Sequence, residues 1–237
     1  MLSSRRCKYK PHDWRKVLPK YVAFRSCLYK ILTQNPKQVK LKSVIMSDII
    51  DLKLHEWCRE KSTTDARIII YNKIRDIPYA VIPELDDPEQ YVEILNLNKG
   101  SCIPKHLLLC DMYQRIGLEV LYAVYPFKWN DLEIDYPSEL KKLAEAMPIS
   151  YHLACKVDID GMLILVDATL DARLERIGLP VNKEWNGMTD TLLPVNPCGE
   201  EELYHPCEAS IMQSRVPDEK SLVFYDGLNS WLERSRM

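Results

Sequence analysis

Helix-like segments followed by strand-like ones predict a mixed fold of helices and an antiparallel hairpin. Three observations carry this expectation. Between residues 47 and 117 apolar residues recur at helical spacing. From residue 118 to 171 the chain turns to β-branched and aromatic runs. Between two of those runs stands Asp160-Gly161, a strong short-range hairpin signal.

The elements follow in chain order. SDIIDLKLHEWCRE (47–60) reads as a helix with Ser47 as N-cap. STTDARIIIYNKIRDIPYA (62–80) offers Thr63 or Thr64 as a cap, then a stripe at Ile70, Ile74 and Ile77 that Pro78 ends. Asp86, Asp87 and Pro88 open a short helix over 88–96. Gly100 suits a tight turn before a helix with Ile103, Leu107, Cys110 and Tyr113 at helical spacing. Leu108, Leu109 and Met112 widen that stripe, so this helix is expected to be buried on most sides, with Gly117 as terminator. LEVLYAVYPF (118–127) is a strand, SELKKLAEAM (138–147) a short helix, and YHLACKVDIDGMLILVDATLD (151–171) a hairpin. PVNKEWNGMTDTLLPVNP (180–197) reads as an extended loop, with Trp185 either walling a substrate cleft or filling a satellite core. PDEKSLVFYDGLNSWLER (217–234) closes the chain as a helix.

Composition sets the class. At 46% hydrophobic and 28% charged, the 237 residues match an ordinary globular protein, and no apolar stretch is long enough for a membrane helix. The first residues lack an apolar core of the secretory kind. Eight cysteines without a CxxC pair then read as reduced thiols in a cytoplasmic setting. Only seven glycines and no Gly-rich loop argue against phosphate cradling.

Charge divides the chain. Residues 1–42 hold twelve Lys or Arg and one acid, Asp13, which leaves 20 basic and 33 acidic residues of the totals 32 and 34 for the remainder. A basic arm over 1–43 and a domain over 44–237 are expected. VAFRSCLYKIL (22–32) is a candidate amphipathic helix within the arm. Such an arm suits nucleic acid or an anionic surface, or docks on its own acidic body. The acidic body favours docking, because it repels phosphate.

NKGSCIPKHLLLCDMYQRIG (98–117) raises the functional question. A helix that begins near residue 102 puts Cys102 where unpaired N–H groups and the helix dipole favour an anion, and a thiolate is one. A symmetric turn on Asp160-Gly161 pairs residues whose numbers sum to 321. His152 and Asp167 then share a face as a diagonal pair on adjacent strands, within side-chain reach. Asp167 ends the apolar run MLILV, where a carboxylate needs a partner. An activated thiol needs a base and a carboxylate to orient that base, and Cys102, His152 and Asp167 suit those roles.

These residues resemble the transglutaminase-like superfamily. The motifs are Gly100-Ser101-Cys102, Arg115-Ile116-Gly117-Leu118, His152 and Asp167-Ala168-Thr169, with Arg75-Asp76-Ile77-Pro78-Tyr79 upstream. The resemblance covers roughly residues 48–171. It implies an α+β fold related to papain-like thiol enzymes, with a Cys-bearing helix packed on an antiparallel sheet that carries His and Asp. It also implies Cys102 as nucleophile, His152 as base and acid, and Asp167 as orienting carboxylate. The Cys102 N–H, Tyr79 and Asn98 are oxyanion candidates. Where many members carry an aromatic residue two positions after the histidine, this chain has Ala154. The expected substrate is a peptide, amide or acyl compound, with no cofactor, no metal and no membrane.

Other constellations carry less. CGEEELYHPC (198–207) follows no standard zinc spacing. His106 lies one helical turn beyond Cys102 and reads as structural. The competing class is a non-catalytic binding protein that uses the fold as a scaffold and the basic segment for a nucleic-acid or protein partner.

Overall fold

Helices lead and strands follow, with one helix between strands and one closing the chain, in the structure, a computed structural model that describes residues 36–206 and 217–237, with side chains from Met46 onward. The chain divides into two units, Met1–Ile45 and Met46–Met237. Most of the expected basic arm, including the helix expected over 22–32, lies outside the described residues. The second unit is an α+β domain.

Helix α1 (Pro36–Cys58) is longer than its sequence signal, and Ser47 lies inside it rather than capping it. The helix-compatible run KQVKLK precedes that serine, and the Ser47 hydroxyl and carbonyl accept from Arg115 instead. Helix α2 (Thr63–Arg75) is capped one residue earlier than expected, because the Ser62 hydroxyl accepts from the Asp65 N–H. The chain then passes through short turns and α3 (Ile94–Leu97) into α4 (Cys102–Arg115).

Helix α4 is buried on nearly every side: Leu108, Leu109, Cys110, Met112 and Tyr113 are fully covered. Its end is a Schellman motif. Gly117 adopts φ +86°, its N–H donates to Gln114, and Leu118 N–H donates to Tyr113. Gly100 makes no left-handed turn. It packs so closely on Ile94 that an added Cβ would lie 2.8 Å from the Ile94 Cγ2. Its backbone pairs with the segment at Tyr79.

Four strands follow: β1 (Val120–Phe127), β2 (Ser150–Ile159), β3 (Met162–Val166) and β4 (Glu202–Tyr204), with α5 (Ser138–Glu145) between β1 and β2. Their order is β3-β2-β1-β4, and each neighbouring pair is antiparallel. The β2–β3 turn has φ +54° at Asp160 and +84° at Gly161, the two left-handed positions of a type I′ hairpin. Cys155 faces Val166 and Ile159 faces Met162, the pairing that the turn arithmetic requires.

The sheet separates two cores. Tyr122, Cys155 and Val157 pack with α4, whereas Ala123, Tyr125 and Ala154 pack with Phe224, Leu228 and Leu232 of α6 (Glu219–Ser235). Period-two alternation puts His152 on the Ala154 face, opposite Tyr125 of β1. Burial of each large apolar side chain contributes roughly 1.5–3 kcal/mol. Among the described residues no helix is long and apolar enough to cross a membrane.

Residues 180–197 form an extended loop. Arg75 holds it by donating to the carbonyls of Asn182 (2.9 Å) and Lys183. Asn182 staples the loop internally, accepting from the Leu192 N–H and donating to the Leu192 carbonyl.

Candidate active site

The hairpin register brings His152 and Asp167 together. Both are 2% exposed, and the His152 Nε2 lies 2.5 Å from the Asp167 Oδ2. The second carboxylate oxygen accepts from the Thr169 N–H (2.9 Å), and the Asp167 N–H donates to the Thr191 hydroxyl (2.7 Å). The carboxylate is therefore held at both oxygens. Phe127 and Tyr125 flank the imidazole at ring distances of 6.4 and 6.5 Å.

Burial alone would pull the His152 pKa down, but the Asp167 carboxylate and then Cys102 reverse it and raise it to about 10. Asp167 also hydrogen-bonds the ring, and Cys102 lies near enough for its charge to act on it. Nε2 serves Asp167, so Nδ1 is the nitrogen left for the thiol. Burial disfavours the Asp167 charge, and the facing His152 outweighs it and lowers that carboxyl's pKa. The arrangement favours an imidazolium between two acceptors.

Cys102 is the first residue of α4 and is half-buried. Ser101 stands at the N-cap in extended backbone, yet its side chain does not cap the helix. Its hydroxyl donates to the Asp86 Oδ1 instead (3.0 Å). The first N–H groups of α4 have no intrahelical acceptor, as at any helix start, and they lie beside the thiol.

Behind these groups lies a polar frame that sequence reading missed. Lys105 is fully buried and donates to the carbonyls of Arg75 (3.0 Å), Ile77 (2.8 Å) and Thr169 (2.7 Å). Burial pulls its pKa down to about 7. Only an ammonium has hydrogens for all three acceptors. His106, equally buried, accepts at Nε2 from the Ala168 N–H (3.0 Å) and so carries its hydrogen on Nδ1, which donates to the Cys102 carbonyl (2.8 Å). Burial keeps it neutral by lowering its pKa to about 4. Asp171 accepts from the Tyr79 N–H (2.9 Å) and from Arg236 (2.7 Å), and Arg236 also donates to the Tyr79 carbonyl (2.7 Å). Three segments, 75–80, 100–106 and 167–171, are thus tied together under the thiol. One signal was available: a lysine within the apolar run of α4 needs acceptors at a buried position. Nothing local announces Arg236, which lies 65 residues from Asp171.

The remaining sequence candidates separate. Tyr79 lies beside Cys102, whose charge, after burial, raises the phenol's pKa. Its backbone is committed to Asp171 and Arg236, so only the hydroxyl is available for other work. Asn98 is exposed and ends α3 in left-handed conformation (φ +50°), a role that suits asparagine. Trp185 is in the core, tilted on Tyr71 at 5.1 Å and donating to the Thr189 carbonyl (2.6 Å). Among the described residues no group of three or more His, Cys, Asp or Glu side chains could hold a metal ion, and Cys207 lies outside them.

No known protein family matches the chain, and no curated protein does. One of the solved structures to which it is similar is a candidate cysteine protease of Cytophaga hutchinsonii, with 18% identity and a TM-score of 0.35. The likeness covers 55% of this chain and 39% of that one, so it spans about two-fifths of the solved protein's length.

Proposed function

We propose that this protein is a thiol enzyme that cleaves or transfers an acyl or amide bond, with a transglutaminase-like, papain-related core over residues 44–237 and residues 1–43 as a separate basic arm. The observation that carries the reading is the His152–Asp167 contact at 2.5 Å, with a cysteine at a helix start near enough for its charge to act on the imidazole.

In this reading the Cys102 sulfur attacks the substrate carbonyl carbon as a thiolate. The C–S bond forms and the carbonyl electrons move to oxygen. In this proposal the Cys102 N–H donates to that oxyanion, with the Tyr79 hydroxyl as the second donor. As the tetrahedral centre collapses, His152 gives its Nδ1 proton to the leaving amine, and an acyl-thioester remains. His152, now neutral, takes a proton from water or from an acceptor amine, which attacks the thioester. Collapse breaks the C–S bond and restores the thiolate beside the imidazolium. Asp167 fixes the ring orientation and supports the imidazolium throughout. The substrate is a peptide, amide or acyl compound, and the acidic body disfavours nucleic acid.

A panel of ester and amide probes tests the proposal, read against Cys102→Ala. Turnover by the wild type that disappears in the variant is the expected result. Turnover that survives in Cys102→Ala rejects the thiol mechanism, whatever the substrate.

A further inference from the structure

Asp86 is the half-buried carboxylate near the site that the proposed mechanism leaves without a task. Asp167 has an imidazole and a backbone N–H, and Asp171 has a guanidinium and a backbone N–H. Asp86, at the end of the turn Pro83–Asp86, has only the Ser101 hydroxyl on Oδ1. Among the described residues no Lys, Arg or His pairs with it, and its Oδ2 accepts no hydrogen bond. That oxygen is not sealed in: the buried side-chain atoms without partners are Arg67 Nε and Thr169 Oγ1. Asp86 therefore presents an open oxygen one residue away from the proposed nucleophile, through Ser101.

Two phenols are near enough to feel the charges of both Asp86 and Cys102, Tyr79 and Tyr225, and neither hydroxyl has a hydrogen-bond partner among the described residues. Tyr225 comes from α6, so the group joins three distant segments of the chain. An open carboxylate beside aromatic rings is the chemistry that receives an ammonium or guanidinium.

Resting on the reading of Cys102 as nucleophile, we infer that Asp86, with Tyr79 and Tyr225 beside it, forms a subsite that selects substrates with a cationic group close to the acyl carbon attacked. The absence of a counter-charge is the central observation. Burial raises the Asp86 pKa to about 7, the Ser101 hydrogen bond opposes that rise, and neighbouring Glu84 adds to it. The carboxyl is thus half-ionised near neutrality, and an arriving cation supplies the missing charge and displaces the proton. A substrate cation at this place is also steered by the acid excess of residues 43–237.

Two methanethiosulfonates with one leaving group and opposite charge, trimethylammonioethyl and sulfonatoethyl, test the inference without knowledge of the substrate. In each case the Cys102 thiolate forms an S–S bond and methanesulfinate departs. Peptide mass mapping gives the Cys102 rate with each reagent, and their ratio cancels the thiolate fraction. The cation-to-anion rate ratio should exceed one and fall roughly tenfold in Asp86→Asn, which keeps an acceptor for Ser101. In the wild type the ratio should also rise as pH increases through about 7, where Asp86 gains charge and Lys105 loses it, so the rise should disappear in Asp86→Asn or, should that variant not fold, in Asp86→Ser. A rise that persists in both variants belongs to Lys105 and overturns the subsite. A ratio indifferent to both Asp86→Asn and pH overturns the subsite and leaves the thiol reading standing. A Cys102 that reacts with neither reagent overturns both.

Discussion

Asp167 and Asp171 lie four residues apart, are each 2% exposed, and are partnered in opposite ways. Asp167 faces an imidazole, a group that can surrender its proton. Asp171 faces a guanidinium, which cannot. Both pairs are enclosed, with side chains 3% and 1% exposed in the first and 8% and 3% in the second, but the second also holds both backbone groups of Tyr79. The difference teaches that two buried charge pairs in one short segment can differ in kind: an exchangeable pair whose proton can move, and a permanent one that sets the position of the segment at Tyr79.

The largest expected effect is on the exchangeable pair. Asp167→Asn keeps the shape but removes the charge that orients the ring, so turnover of any acyl probe should fall on the order of 10⁴-fold. A loss below about tenfold would remove Asp167 from the proposed machinery. The permanent pair should respond in stability instead. Arg236→Ala leaves Asp171 buried without its cation, a change that costs about 3–5 kcal/mol. Urea unfolding measures it. A cost under about 1 kcal/mol would mean that water replaces the guanidinium, and the contrast with Asp167 would collapse.

A smaller effect is the pH dependence of the exchangeable pair. The folded His152 pKa is raised from an unfolded value of ~6.5 to about 10, so the folded state holds the extra proton between those limits. Its stabilising contribution is complete below ~6.5 and is lost as pH rises through about 10. The stability gap between wild type and His152→Asn should therefore narrow from pH 6.5 to 10, measured by urea midpoints at both ends. Widening over that window would reverse the assignment of charge.

The smallest effect belongs to the residue between the two aspartates. Thr169 donates its N–H to Asp167 and lends its carbonyl to Lys105, yet its buried hydroxyl has no partner among the described residues. Thr169→Val keeps the shape and removes that orphan, so stability should change by less than ~0.5 kcal/mol or rise. A loss of ~2 kcal/mol would point to a hidden partner for the hydroxyl.

Legibility in the sequence follows the range of each interaction. The hairpin was readable because Asp160-Gly161 permits two successive left-handed residues, and one turn sets the register of every pair above it. The His152–Asp167 contact follows from that register. The end of α4 was readable because Gly117 takes a conformation that most side chains resist. The start of α1 was misread because Ser47 suits a cap locally, and only the longer helix shows that its hydroxyl meets Arg115. Gly100 was misread for a related reason: a glycine needed for close packing on Ile94 looks the same as one needed for a turn.

By itself the sequence determined the order of helices and strands, the hairpin register and the candidate cysteine at a helix start, since each rests on backbone preferences or periodicities spanning a few residues. Tertiary structure alone decided the partners of Lys105, Asp171, Arg236 and Asp86. A buried charge must be satisfied or left open by whatever packs against it, and those groups arrive from segments up to 157 residues away, where no local periodicity reaches.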